Sequence, residues 1–153
     1  MNALEKIRGW IATYPGYNLL ADFQVDYTDQ ATANSGGIFP SGLVEVGRSK
    51  DITGTTTVTN QYNFALYYTF TKAPGDDVGA TVNADWVMDF QEWVQTQSVT
   101  GEAPTFGDDP SSERIIAQNG TLFEFDAEGT ALYAVQLSVQ FLKIFKEKNK
   151  WLI

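Results

Sequence analysis

Two stretches of the sequence alternate between apolar and polar side chains, and this period of two constrains the fold more than any other feature. Between Gln61 and Phe70 the large apolar residues occupy the even positions Tyr62, Phe64, Leu66, Tyr68 and Phe70. From Ala131 to Phe141, the apolar residues Ala131, Tyr133, Val135, Leu137, Val139 and Phe141 share the odd positions, opposite Gln136, Ser138 and Gln140. Successive side chains of a β-strand point to opposite faces, so each stretch predicts a strand with one buried face. A sheet of such strands needs a second layer over its apolar face.

The spacing of other apolar residues predicts two helices that supply this layer. Over 2–14, apolar side chains recur at helical intervals, Asn2 is placed to cap the first turn, and Pro15-Gly16 ends the helix. Over 81–98 the 3.6-residue period is carried by Trp86, Phe90, Trp93 and Val94. We expect this second helix, which starts near Thr81 or Asn83, to be the main cover of the sheet.

Further strands are predicted at Leu19–Tyr27, Leu43–Ile52 and Arg114–Phe125, beside the strands Thr55–Phe70 and Thr130–Phe145. Residues 28–41 are rich in Ser, Thr, Asn and Gly, which predicts a loop. The order of the elements favours an α+β fold, in which an antiparallel sheet carries one main helix and a short N-terminal helix. We expect a single domain over 1–153, with strands in 15–72, closing strands in 112–145 and a basic tail at 146–153.

The beginning of the strand Thr55–Phe70 is polar on both faces. Hydroxyl side chains surround Val58 at Thr55, Thr56, Thr57 and Thr59. A strand of 16 residues spans about 50 Å, which is longer than the core of a small domain requires. The pattern therefore predicts a long β-hairpin, turning near Thr53-Gly54, that protrudes from the domain and needs another chain beside it.

Charge is divided unevenly along the chain. Residues 1–142 carry 6 basic and 18 acidic side chains, whereas the last eleven residues carry 4 basic and 1 acidic. Affinity for nucleic acid comes mainly from Lys and Arg that displace counterions, so we expect no tight binding to DNA. The acidity either serves solubility alone or forms a surface past which DNA moves without adhering.

The composition excludes most kinds of catalytic site. The chain has no His and no Cys, which excludes His-dependent triads, thiolate nucleophiles and most transition-metal sites. The carboxylate pairs Asp76-Asp77 and Asp108-Asp109 lie among Gly and Pro, where Asp is common in turns, and neither has the spacing of a calcium loop. We expect no enzyme activity, metal or cofactor. We also expect no secretory signal in 1–14 and no membrane span, because no apolar run is long enough.

The order of the elements resembles that of the tail terminator proteins of long-tailed bacteriophages, and of the related tail-completion and minor capsid proteins of prophages. The similarity covers about Asn2 to Phe145 and rests on length, element order, acidity and the Tyr- and Gln-rich strands Gln61–Phe70 and Thr130–Phe145. It implies a homo-oligomeric ring, usually of six subunits, that caps the tail tube and meets the head connector. It also implies DNA passage through an acidic lumen, and a location in the virion or in the host cytoplasm during assembly.

The protruding hairpin, the long loop and the apolar C-terminal end supply the predicted interface residues. These are Thr53, Thr55, Thr57, Thr59 and Gln61 of the hairpin, Ser35, Ile38 and Phe39 of the loop, and Trp151 and Leu152 at the end of the sequence. The terminal triplet 151–153 is either packed on the domain or anchors a partner.

The main alternative is a cone-shaped protein that binds a small molecule. Its Tyr and Trp side chains would line a cavity, and Asp85 or Asp89 would act on the ligand. Such folds generally need several N-terminal helices to close the cone, whereas this chain predicts one. A carboxylate enzyme that uses Asp22 and Asp26 is a further alternative, but their alternation suits the solvated face of one strand.

Overall fold

The computed structural model describes residues 2–16, 22–25, 35–71, 77–126 and 130–146. The helices and strands are α1 (Ala3–Ile11), β1 (Asp22–Val25), β2 (Ser35–Lys50), β3 (Thr56–Thr71), α2 (Asp77–Thr100), β4 (Arg114–Asp126) and β5 (Thr130–Phe145). A 3-10 turn, Pro110–Ser112, precedes β4.

The five strands form one sheet in the order β1-β2-β3-β5-β4. The four long strands pair antiparallel, which confirms the predicted α+β architecture. The longest ladder joins β3 to β5, from Thr56 opposite Phe145 to Thr71 opposite Thr130. β1 departs from the prediction, because it pairs in parallel with the first four residues of β2.

The register places the two predicted apolar sets on the same face of the sheet. Phe64 lies opposite Leu137, and Leu66 lies opposite Val135; directly paired residues share a face. We call this the inner face, because both helices pack on it. All four of these side chains belong to the buried core and are at most 5% exposed.

Both helices are positioned by the apolar stripes seen in the sequence. The Asn2 Oδ1 accepts a hydrogen bond from the Glu5 N–H at 2.9 Å, which confirms Asn2 as the cap of α1. α1 buries Ile7, Trp10 and Ile11, and α2 buries Trp86, Val87, Phe90 and Val94. α2 is therefore the main cover of the sheet, as predicted, and it starts earlier and ends later than its apolar stripe.

The aromatic side chains between the helices and the sheet pack on one another. Trp10 stacks on Trp93 with ring centroids 4.9 Å apart, and Trp86 meets Tyr68 edge to face at 4.7 Å. The Trp86 Nε1–H donates to the Gly16 carbonyl (3.1 Å). Burial, with a smaller contribution from the nearby charge of Asp89, raises the pKa of Tyr14 in this cluster to about 12.

The prediction of a loop over 28–41 is wrong for residues 35–41, which belong to β2. Gly36 and Gly37 have low strand propensity, but both are paired on each side, to β1 and to β3. Tertiary pairing overrides local propensity here. Residues 28–34 of the predicted loop lie outside the described residues.

Candidate assembly surface

The sheet extends beyond the helix that covers it. Near the C-terminal end of α2, the Ser98 Oγ accepts a hydrogen bond from the Ile115 N–H at 3.0 Å. Ile115 pairs with Val139, and Val139 pairs with Tyr62, so α2 ends close to this row of the sheet. From this row onward three strands continue, and we call them the arm: Leu43–Lys50 of β2, Thr56–Tyr62 of β3 and Val139–Phe145 of β5.

The arm is three-stranded, which corrects the prediction of a two-stranded hairpin. Residues 56–59 form its central strand, with β2 on one side and β5 on the other. Val58 is buried at 5% exposure, and the threonines beside it are half-buried. The neighbouring strand that the polar threonines were expected to need from another chain is therefore supplied by β5 of the same chain.

The tip of the arm is a tight turn organised by Asp51. The Asp51 Oδ1 accepts hydrogen bonds from the Thr53 N–H (2.9 Å), the Thr53 hydroxyl (2.6 Å) and the Thr55 N–H (3.0 Å). Gly54 has φ +89°, a left-handed conformation that favours glycine. The Thr53 hydroxyl, followed by the backbone N–H donors, lowers the pKa of Asp51. The turn presents Ile52 fully exposed to solvent.

One edge of the arm is closed by the segment that joins α2 to β4. The Asp108 N–H donates to the Leu142 carbonyl (2.8 Å), and the Ile144 N–H donates to the Asp108 Oδ2 (2.8 Å). Both bonds use backbone groups of β5 beyond the start of β4. The Glu113 carboxylate holds the segment in turn, because it accepts hydrogen bonds from the Phe106 N–H and the Gly107 N–H (2.7 and 3.0 Å).

The opposite edge of the arm has no described strand beside it. β1 pairs only with Ser35–Ile38 of β2, and no other described strand lies on that side. Every residue from Pro40 to Lys50 is exposed. Two register shifts, after Pro40 and after Glu45, interrupt the pairing of this strand with β3. Such bulges bend and twist an edge strand.

The two faces of the arm differ in charge. Across the three strands, the inner face carries the rows Leu43–Tyr62–Val139, Glu45–Asn60–Phe141, Arg48–Val58–Lys143 and Lys50–Thr56–Phe145. The outer face carries the rows Val44–Gln61–Gln140, Gly47–Thr59–Leu142 and Ser49–Thr57–Ile144, which contain no charged residue. The inner face therefore has three cations and one carboxylate.

The Glu45 carboxylate on the inner face is paired within its own strand. The Arg48 Nη2–H and Nε–H donate to the two Glu45 carboxylate oxygens at 2.7 and 3.1 Å, and this contact raises the pKa of Arg48. The pair is open to solvent, with side-chain exposures of 62% and 43%, so it contributes little to stability. Lys50 and Lys143 have no acidic residue opposite them in the register.

The outer face carries a ladder of amide side chains. The Gln140 Nε2–H donates to the Gln61 Oε1 (2.8 Å), and the Gln61 Nε2–H donates to the Asn63 Oδ1 (2.7 Å), which also accepts from the Ser138 hydroxyl (3.2 Å). Hydrogen bonds that are satisfied within the chain fix the rotamers of these side chains. The ladder thus stiffens the junction of the arm and the covered part of the sheet.

Exposed apolar side chains are concentrated on the arm. Six of the ten large apolar residues that are exposed in the described part of the chain lie there or at its tip: Leu43, Val44, Val46, Ile52, Ile144 and Phe145. Single exposed apolar residues are ordinary, whereas several of them on one element are typical of surfaces that interact. The arm is therefore the strongest candidate site in the described structure.

The structure brings together half of the predicted interface residues. Thr53, Thr55, Thr57, Thr59 and Gln61 all lie on the arm or its turn, and their role at an interface stays a prediction. Ser35 and Ile38 are 1% and 0% exposed, so in this structure they offer no surface to a partner. Phe39 is half-buried against Tyr67 (5.2 Å). Trp151 and Leu152 lie outside the described residues.

Sequence reasoning missed the apolar residues of the arm. A usable signal was present in β2, since Leu43, Val44 and Val46 do not alternate as a half-buried strand would require. The same three residues lie beside the bulge at Glu45/Gly47.

The other predicted or possible sites in the described structure have weaker support. No group of three or more acidic residues among the described positions is placed to hold a metal ion. The Asp109 Oδ1 accepts from the Ser111 hydroxyl (2.7 Å), as expected for a turn, whereas Asp108 binds the edge of β5. Asp85 and Asp89 are exposed on α2. An open groove of about 720 Å³ lies between α2 and β4 and is lined by polar residues such as Gln91, Glu92 and Arg114.

No protein-family model matches the chain, and no match was found among curated proteins. Within the described residues, neither helix has the length and apolar character that crossing a membrane requires.

Proposed function

We propose that the chain is a structural subunit that assembles with copies of itself into a ring, as a tail terminator or tail-completion protein of a long-tailed bacteriophage. The observation that carries the proposal is the arm: an extension of the sheet beyond α2 that exposes apolar and basic side chains and whose β2 edge no described strand covers. A ring of this kind, expected to contain six subunits, would cap the tail tube and meet the head connector. It would act in the virion and, during assembly, in the host cytoplasm.

The distribution of charge supports this proposal. The whole chain has a net charge of −9, whereas the arm and its turn carry basic side chains at the place where apolar residues are exposed. An acidic ring would let double-stranded DNA pass without counterion release and hence without tight binding. No catalytic step is required, and the cluster of aromatic residues is used for packing.

The proposal is tested by measuring the native mass of the purified chain by light scattering over a wide range of concentrations, with negative-stain electron microscopy of the same samples. We expect a concentration-dependent rise from the 16.9 kDa chain toward a hexamer, and closed rings in the images. The paired variant Leu43→Ser/Val46→Ser should weaken assembly. Leu122→Ser, which removes an exposed apolar side chain of β4 (41% exposed), is the matched control and should not.

A chain that remains monomeric at every concentration would contradict the ring. The cone-shaped binding protein predicts that result together with a rise in melting temperature on addition of a small molecule. A chain that assembles equally well with and without Leu43 and Val46 would show that the arm is not the assembly surface.

A further inference from the structure

We infer that the partner of the arm is helix α2 of a neighbouring copy, whose exposed stripe packs on the inner face of the arm. This inference rests on the proposed self-assembly and names the two surfaces that meet. It follows from the two surfaces themselves, which carry opposite charges and both expose apolar side chains.

The first argument is the exposed stripe of α2. The helix carries four acidic residues and no basic residue. Three of them, Asp85, Asp89 and Glu92, are exposed. They are spaced by four and three residues, so they lie along one side of the helix, away from the sheet. This acidic stripe is complementary to the inner face of the arm, which carries Arg48, Lys50 and Lys143.

The second argument is the position of the exposed apolar side chains. Of the four that are not on the arm, three lie on α2: Val82 (62%), Met88 (51%) and Val99 (81%). On the inner face of the arm the exposed apolar side chains are Leu43 (54%) and Phe145 (55%). Interfaces that combine apolar contact with opposite charge gain both affinity and a defined orientation.

The third argument is geometric. The inner face of the arm points to the same side of the sheet as the helices. Phe106 packs on Tyr62 and Phe141 in the rows nearest α2. The side chains of Leu43, Arg48, Lys50 and Phe145 are exposed. A contact between the arm of one copy and α2 of the next uses two different surfaces, so each subunit can both donate an arm and receive one. Such head-to-tail contacts close into rings when the rotation between subunits permits it.

The size of the contact predicts its strength. Three strands spaced about 4.8 Å apart and seven residues long present at most roughly 300 Å² on one face, and Phe106 already covers part of this area. A standard interface buries about 800 Å² on each partner. A single arm–helix contact is therefore weak, and assembly depends on protein concentration until the ring closes and every subunit is held twice.

The test exchanges the charges of the two surfaces. Lys50→Glu/Lys143→Glu leaves the Arg48–Glu45 pair intact and reverses the arm, whereas Asp85→Lys/Glu92→Lys reverses the helix stripe. We expect each double variant to raise the dissociation constant for self-association about tenfold or more at low ionic strength. The chain that carries all four substitutions should regain assembly, since the charges are again complementary. Arg114→Glu, on β4, is the control reversal and should have little effect.

The outcomes separate this inference from the proposed function. A wild-type chain that does not self-associate overturns both. A wild-type chain that forms rings, with all reversed variants forming them equally well, leaves the ring intact and overturns the arm–helix contact. Loss of assembly in the arm variant without recovery in the fourfold variant also overturns it, because the arm would then bind some other surface. Thermal unfolding of each variant verifies that the fold is preserved.

Discussion

The two edges of the arm differ. Along one edge, the segment from Phe106 to Asp109 lies beside β5 and forms hydrogen bonds with its backbone. Along the other edge, β2 has no described neighbour beyond Ile38. The far edge of the sheet is closed in a similar way. There the side chains of Ser98 and Gln91 on α2 bond the Ile115 N–H and the Ala117 carbonyl of β4. Unpaired edges invite strands from other chains, and proteins commonly block them. Two edges of this sheet are blocked, one by the backbone and side chain of Asp108 and the other by side chains of α2, whereas no described strand pairs with the β2 edge of the arm.

The difference between the two edges of the arm is sharpest at two glycines. A Cβ on Gly107 would collide with the backbone carbonyl of Leu142 and lie 3.1 Å from the Phe141 ring, whereas a Cβ on Gly47 would meet nothing within 4 Å. We expect Gly107→Ala to lower the free energy of unfolding by about 1–3 kcal/mol, because the closing segment must move away from β5. Gly47→Ala is the matched control, and we expect it to be neutral or stabilising by up to about 1 kcal/mol. Urea denaturation measures both, and equal effects would show that the two edges are packed alike.

Removal of the Asp108 carboxylate opens the blocked edge and should lower the free energy of unfolding by less than Gly107→Ala does. We expect Asp108→Ala to cost about 1 kcal/mol, the contribution of one hydrogen bond, and to speed hydrogen exchange of the Ile144 amide. Asp108→Asn keeps an acceptor oxygen at the same place and is the control. Because the variant exposes a second edge, Asp108→Ala should also form larger, less uniform aggregates than the wild-type chain. Unchanged exchange at Ile144 in the Ala variant would mean that the bond to Asp108 does not close the edge.

The body of the sheet was predictable from the sequence because its signal is local. Alternation along β5 gives its bounds without error, and along β3 it gives them to within one residue. The packing of Trp86 and Phe90 on the sheet follows in the same way from a helical period. Each of these elements is buried on one side only, so its apolar residues recur with the period of the strand or the helix.

The arm could be predicted only in part, because its form depends on pairing between distant residues. The threonines of β3 predicted a segment polar on both faces, but Val58 among them is buried at 5% exposure. Nothing near them in the sequence shows that β5 continues beside them as far as Phe145. The burial of Ser35 and Ile38 had the same cause, since Gly36 and Gly37 become strand residues through partners on β1 and β3. The contact of Asp108 with β5 spans 36 residues and left no pattern that local reasoning detects.

The smallest expected effect lies at the tip of the arm, in the turn that joins β2 to β3. The Thr53 hydroxyl, and after it the backbone N–H groups of Thr55, Thr53 and Gly54, lower the pKa of Asp51. A lowered pKa in the folded chain means that the stabilisation is fully present above the unfolded value of about 3.9 and is lost as the pH falls through the folded value. A carbon-detected NMR titration should therefore give a midpoint for Asp51 below about 3.9, and Thr53→Val, which removes the hydroxyl donor, should move the midpoint upward. A midpoint at or above the unfolded value would show that the turn opens in solution, and the arm would then lack the fixed tip that an ordered contact with a neighbouring subunit requires.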